Sequence, residues 1–201
     1  MIEKYVTGYF QTNCYVISNE TKCVIVDPGL EFSSAAEEIK AKYDVEAILL
    51  THGHMDHIDG LRFFDCPVYI HKLDEEFLYD ENLSLYRFFN SKTPYKKGDI
   101  NIIHVHDKME IDLLGYKFKV YHTPGHTRGS VCYSYTNKLL SGDTLFKLSM
   151  GRTDFPTGDS KAMQESLKMI VNSFPDNTSV YPGHDDKTTI RNERKNNMFI
   201  K

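Results

Sequence analysis

Residues 49–60 read "LLTHGHMDHIDG", which sets His52, His54, Asp56 and His57 within six positions directly after an apolar run. Imidazole nitrogen and carboxylate oxygen are the donors that zinc and similar ions take. Side chains two apart on extended backbone point to one side, so His52 and His54 can grip one ion. Asp56 and His57 begin the next turn and can face a neighbouring ion. Given this chain's composition, His-x-His-x-Asp-His would arise by chance about once in a thousand such chains, so a merely polar loop explains it poorly.

Three later segments share a layout, each a strand ending in a glycine-bearing turn with a ligand-type residue. "YHTPGHTRGS" carries His126, "LLSGDTLF" carries Asp143 and "VYPGHDD" carries His184. Singly, a turn histidine is solvated and an aspartate after glycine caps a turn. Together, ligands at strand ends can meet at one edge of a sandwich. Asp27 closes a buried strand and can either orient a ligand histidine or form its turn. Lys147 and Arg152 follow Asp143 and can bind a substrate carboxylate, against a structural pairing of Arg152 with Asp154. His71, His104, His106 and His122 read as packing or surface residues.

The elements that must position these groups are short. "KYVTGYF", "CYVISN" and "KCVIVDPG" read as hairpin-linked strands, and "VEAILL" at 45–50 as a strand covered on both faces. Between them "EFSSAAEEIKAKY" predicts a helix of about three turns, with Ser34 and Glu37 as a capping box and Ala35, Ile39 and Tyr43 on one face. "DHIDGLRFF" can begin a helix, "CPVYIH" is a strand, and residues 72–92 read as mostly helical. Five strands follow in "NIIHVH", "MEIDLL", "YKFKVYHT", "SVCYSYT" and "KLLSGD". "SKAMQESLKMIVNSF" at 160–174 then puts Met163, Leu167, Ile170, Val171 and Phe174 on one helical stripe. "TSVYPGH" is a strand running into a loop, and a short helix closes the chain. Two successions of strands followed by a helix predict two sheets packed face to face with helices outside, in one domain over residues 1–201.

Composition sets the class. At 201 residues, with 40% hydrophobic and 26% charged residues and a net charge of -4, the chain has the make-up of a soluble globular protein and lacks the basic face that nucleic acid requires. No stretch approaches the ~20 apolar residues of a membrane span, and the first residues lack a signal-like apolar run, so a cytoplasmic protein is expected. Cys14, Cys23, Cys66 and Cys132 form no Cys-x-x-Cys pair and read as reduced, structural residues.

The metal motif, "VIVDPG", "HTPGHTRGS", "SGDTLF", "GRTDFPTGD" and "YPGHDDKTTIRNER" together resemble the metallo-β-lactamase superfamily over nearly the whole chain. The likeness is greatest to its glyoxalase II type in the short bacterial form. It implies an αββα sandwich of two mixed sheets. It also implies one metal on His52, His54 and His126, a second on Asp56, His57 and His184, and Asp143 between them. The expected cofactor is a pair of divalent ions, zinc foremost, with iron or manganese accepted by the same donors. The implied activity is hydrolysis of a thioester such as S-lactoylglutathione by a hydroxide shared between the ions. The family's Gly-His-Gly reads Gly-His-Asp here, which sets Asp185 near the second metal. The helical extension with which full-length glyoxalase II binds glutathione is absent, leaving the thiol open. Rival readings are a one-iron persulfide dioxygenase using His52, His126 and Asp143, a lactone hydrolase, and a metal-binding protein without turnover. An antibiotic hydrolase is not expected, because zinc β-lactamases lack a bridging carboxylate in this segment.

Overall fold

Along Thr12–Ser18 (β2) side chains alternate between two apolar surroundings: Cys14 and Val16 join one cluster, Tyr15 and Ile17 another. Lys22–Val26 (β3) repeats the alternation, with Cys23 and Ile25 on one side and Val24 and Val26 on the other. Strands apolar on both faces must be covered on both. In the computed structural model, which describes residues 1–200, that cover comes from helices on one face and a second sheet on the other.

Ile2–Thr7 (β1), β2, β3, Asp44–Leu49 (β4), Val68–His71 (β5) and Ile102–Val105 (β6) form the first sheet in that spatial order. β1, β2 and β3 pair antiparallel, and β3 to β6 pair parallel. The second sheet contains Glu110–Leu113 (β7), Tyr116–His122 (β8), Val131–Tyr135 (β9) and Lys138–Gly142 (β10). Leu145–Phe146 (β11) and Ser149–Met150 (β12) make a small separate ribbon, and Ser179–Pro182 (β13) and Thr188–Thr189 (β14) complete the second sheet in the order β14-β13-β10-β9-β8-β7. Its one parallel pairing is β10 with β13.

Tyr15, Ile17, Val24, Val26, Ala47 and Leu49 from the first sheet pack against Phe118, Val120, Tyr133 and Leu140 from the second. On the outer faces, Ser33–Lys42 (α1) buries Ala36 and Ile39 on the first sheet, while Ser160–Ser173 (α3) buries Met163, Leu167 and Ile170 on the second. This is the αββα sandwich of two mixed sheets that the sequence implies. Each fully buried Leu, Ile or Phe adds about 1.5–3 kcal/mol, so two-sided burial of short strands holds the layers together.

The local differences have physical causes. α1 starts two residues earlier than the capping-box reading, with fully buried Phe32 as its N-cap and no side-chain cap, so packing of the phenyl ring sets the entry. Asp159 does cap α3, accepting from the Lys161 and Ala162 amides. Residues 72–92 are not mostly helical. They hold 3-10 turns at Glu75–Leu78 and Tyr86–Phe89, and the Asp80 carboxylate takes the Asn82 and Leu83 amides that a helix would need. Met55–Ile58 (α2) passes into a 3-10 turn at Asp59–Phe63, and Ile190–Asn196 (α4) is the expected closing helix. All four cysteines are free. Among the described residues no helix is long and apolar enough to cross a membrane.

Candidate metal centre

β4 of the first sheet, and β8, β10 and β13 of the second, deliver their carboxyl ends to one rim. Five of the predicted ligand residues lie on the loops that follow them, and Asp56 and His57 lie in α2, just beyond β4. Two cross-sheet bonds register the rim: the Val131 amide donates to Thr51 O at 2.8 Å and the Tyr133 hydroxyl to Leu50 O at 3.0 Å.

His52, His54 and His126 form one group of converging donor atoms, and Asp56, His57 and His184 form a second. Asp143 spans both. Its Oδ2 lies 3.5 Å from Nε2 of His126 and of His184, and its Oδ1 lies 3.4 Å from His57 Nε2. His54 turns Nδ1 to within 2.9 Å of His126 Nε2.

The other four imidazoles are held by Nδ1, which leaves Nε2 for the centre. His57 Nδ1 lies 3.0 Å from Asp27 Oδ2, His126 Nδ1 2.7 Å from Arg152 O, His184 Nδ1 3.1 Å from Phe10 O and His52 Nδ1 3.1 Å from Thr51 Oγ1. Such anchoring selects the tautomer and the ring direction that a metal ligand needs. Asp27 also accepts from the Thr51 amide and hydroxyl, at 2.8 and 2.6 Å, while itself in the left-handed region at φ 54. It orients His57 rather than merely forming a turn.

The donors fit a cation. Nε2 of His52, His54 and His57 and Oδ1 of Asp143 are buried without any hydrogen-bond partner, a costly state for polar atoms unless something electropositive satisfies them. Burial pushes His52 and His54 well below the usual imidazole range and lowers His126, so these rings are neutral donors. Burial works against a charged His57, yet Asp56, Asp143 and Asp27 lift it to about 9. Burial likewise opposes charge on His184, and Asp143 and Asp56 raise it to about 11. Burial opposes ionisation of Asp56 and Asp143 too, but facing imidazoles hold both well below the usual carboxylate range. The two ionised carboxylates thus draw positive charge to this point, as protons on His57 and His184 that a bound cation would replace.

Other expectations fare differently. Arg152 forks onto Asp154, its Nε and Nη2 donating at 2.6 and 2.7 Å, so the structural pairing holds, though the residue still lines the cavity onto which His54, Asp56, His126, Asp143 and His184 face. Lys147 is exposed and pairs with Asp186 at 2.9 Å, away from the cavity wall. Asp185, which follows His184, is exposed at φ 63, and its backbone carbonyl accepts from Asn13 Nδ2 at 2.9 Å. His71, His104, His106 and His122 lie outside both groups, as expected.

Two contributors carried no sequence signal. Asn13 at the start of β2 buttresses the His184 turn, its side chain donating to Pro182 O at 3.0 Å and its amide to Gly183 O at 2.7 Å. Asp74, fully buried, accepts from the Gly53 amide at 3.1 Å, the Thr127 hydroxyl at 2.6 Å and the Gly129 amide at 2.8 Å. It clips the His52–His54 loop to the His126 loop, yet within "HKLDEEFL" it looks like one more solvated acid.

The sequence profile of the metallo-beta-lactamase superfamily matches residues 7–184, and the chain belongs to that family. Among solved structures, BLEG-1, described as a B3 metallo-beta-lactamase, is 34% identical with a TM-score of 0.91, covering 100% of this chain and 99% of its own. TTHA1623 in a di-iron-bound form is also 34% identical, with a TM-score of 0.83 and coverage of 98% and 99%. The hydroxyacylglutathione hydrolase GloC of Haemophilus influenzae is 29% identical over 95% of this chain and 93% of its own.

Proposed function

We propose that this chain is a binuclear metallohydrolase that cleaves thioesters. The observation that carries the reading is the double donor set, with Asp143 reaching both halves from one buried position. His52, His54 and His126 would hold one ion, and Asp56, His57 and His184 the other. Two divalent ions, zinc or iron by supply, contribute Lewis acidity and lower the pKa of bound water from near 16 to about 7. The likenesses to GloC and to a di-iron structure support the substrate class and the pair of ions, respectively.

The chain's own residues do the rest. Asp27, Phe10 O and Arg152 O fix the imidazoles before substrate arrives, so no reorganisation is needed during reaction. Phe10, Phe89, Phe146 and Phe155 share the cavity with the donors and make part of its wall apolar. In hydrolysis the acyl carbon gains an oxygen from water as its bond to sulfur breaks. Sulfur leaves with the bonding pair, and the two protons of that water go one to the departed thiolate and one to solvent. A thiolate, with a free-thiol pKa of about 8.5, needs no strong acid to leave, which suits a site whose imidazoles are all committed to its two donor groups. The second donor group also weighs against the one-iron dioxygenase, which would use only His52, His126 and Asp143.

Elemental analysis of protein purified without added metal, followed by parallel thioester and persulfide assays, tests the reading. Two ions per chain with thioester cleavage is the expected result. One iron with oxygen consumption on a persulfide would overturn it. Asp143→Ala should lower thioester turnover by roughly a hundredfold or more, since it removes a contact to both donor groups; unchanged turnover refutes the proposed centre.

A further inference from the structure

The donor atoms open into a cavity of about 400 Å³ whose upper wall is apolar: Phe10, Leu85, Phe89, Phe146, Met150 and Phe155 line it. Histidines aside, Arg152 is the one cation among the lining residues, and it is already spent. Its guanidinium forks onto Asp154 and lies 3.9 Å from the centroid of the Phe155 ring. All other charge in the cavity sits on its floor with Asp56 and Asp143.

The aromatic wall continues outward. Phe89 packs on Phe10 at 5.1 Å, Phe10 on Tyr9 at 5.8 Å and Phe88 faces Phe155 at 6.2 Å between ring centroids. Phe88 is 67% exposed and Phe89 50%, so two large apolar side chains meet solvent beside the mouth. The turn that presents them is bracketed by Leu85 at φ 72 and Asn90 at φ 50, a conformation disfavoured for a leucine. Exposed rings on a strained turn cost stability, and such a contiguous patch marks a binding surface.

We infer that the substrate bears a bulky uncharged apolar group beside its thioester, and that glutathione is not its thiol. The inference rests on the thioester reading above. Glutathione carries two carboxylates and an ammonium, and inside the cavity this wall would set those charges against phenyl rings, the one lining guanidinium being already paired with Asp154. Desolvating a charge without a partner is costly, whereas burying apolar methylenes against phenyl rings is favourable. The apolar group can stand on the acyl or on the sulfur side.

Three thioesters separate those cases on the metal-loaded enzyme: S-lactoylglutathione, the lactoyl thioester of 2-phenylethanethiol, and S-phenylacetylglutathione. The lactoyl thioester of 2-phenylethanethiol should exceed S-lactoylglutathione in kcat/KM by tenfold or more, a further gain with S-phenylacetylglutathione would add an apolar acyl side, and an advantage of S-phenylacetylglutathione alone would overturn the exclusion of glutathione. Phe89→Ser, at a half-exposed position, should erase most of that advantage through KM. S-lactoylglutathione equal to or better than both would overturn the inference while leaving thioester hydrolysis standing. If no thioester is cleaved, the hydrolase reading falls, and calorimetry decides the inference alone: 2-phenylethanethiol should bind at least tenfold tighter than glutathione, and the reverse order refutes it.

Discussion

Asp74 offers both carboxylate oxygens to loops that carry metal-ligand candidates, and three donors surround it. Burial still pushes it up to about 6 against those hydrogen bonds, so its charge at neutral pH is retained in a place that disfavours it. Nothing nearer than this carboxylate ties the Gly53 amide to Gly129. Asp74→Ala should therefore weaken metal binding by roughly 10–100-fold, the usual cost of losing a residue that orients ligands. A chelator competition titration reads this directly, and Asp74→Asn, which keeps one acceptor, should fall between. Gly183 is the second residue-scale test. A Cβ there would lie 2.1 Å from Asp143 Oδ1 and 2.8 Å from His57 Cε1, so Gly183→Ala must displace a ligand candidate of each group. A shift of about 1 Å costs on the order of a hundredfold in rate, so thioester turnover should drop that far while the circular dichroism spectrum stays unchanged.

Where β5 and β8 end, His71 of the first sheet stacks on His122 of the second, 4.2 Å apart and 7° from parallel. Burial lowers His71 to about 4, with His122, His104 and His106 adding repulsion. The folded value lies below the ordinary imidazole value near 6.5. The unfolded chain thus binds more protons between those limits, and stability present above about pH 6.5 is lost as pH falls toward 4. His71→Gln should flatten that part of the profile of urea midpoint against pH; an identical slope in the variant would show the stack to be inert. The same strands show what sequence can and cannot convey. Every long strand was legible, because alternation such as Cys14–Tyr15–Val16–Ile17 reports burial directly. So was the cluster at 52–57, whose residue types are too rare to gather by chance, whereas His126, Asp143 and His184 stood out only together with it. β14 has only two residues, and the turns of 72–92 obey local side-chain bonds such as those of Asp80, so neither leaves a periodic trace. Asp74 and Asn13 stayed hidden because their partners, all but the Thr127 hydroxyl backbone atoms, are distant in the chain.

The two donor groups draw on both halves of the molecule: residues 52–57 follow a strand of the first sheet, and 126, 143 and 184 follow strands of the second. Bound ions would therefore tie sheet to sheet. Protein stripped by a chelator should melt well below the loaded form: at a free-ion level about a thousand times Kd, linkage contributes about 4 kcal/mol, or roughly 10 °C for a chain of this size. Equal melting temperatures would mean the ions do not bridge the layers. The candidate ligands hang on strand ends, whereas Phe88 and Phe89 ride on a turn pinned through other contacts, the Tyr86 hydroxyl donating to Asp59 at 2.8 Å and Tyr95 reaching Ile58 O at 2.8 Å. The candidate ligands and the Phe88–Phe89 part of the wall are thus carried on separate stretches of chain. A donor turn grafted between Tyr86 and Tyr95 should change which molecules are admitted without retuning the chemistry beneath, making this segment the natural place for evolution, or an engineer, to rewrite the enzyme's diet.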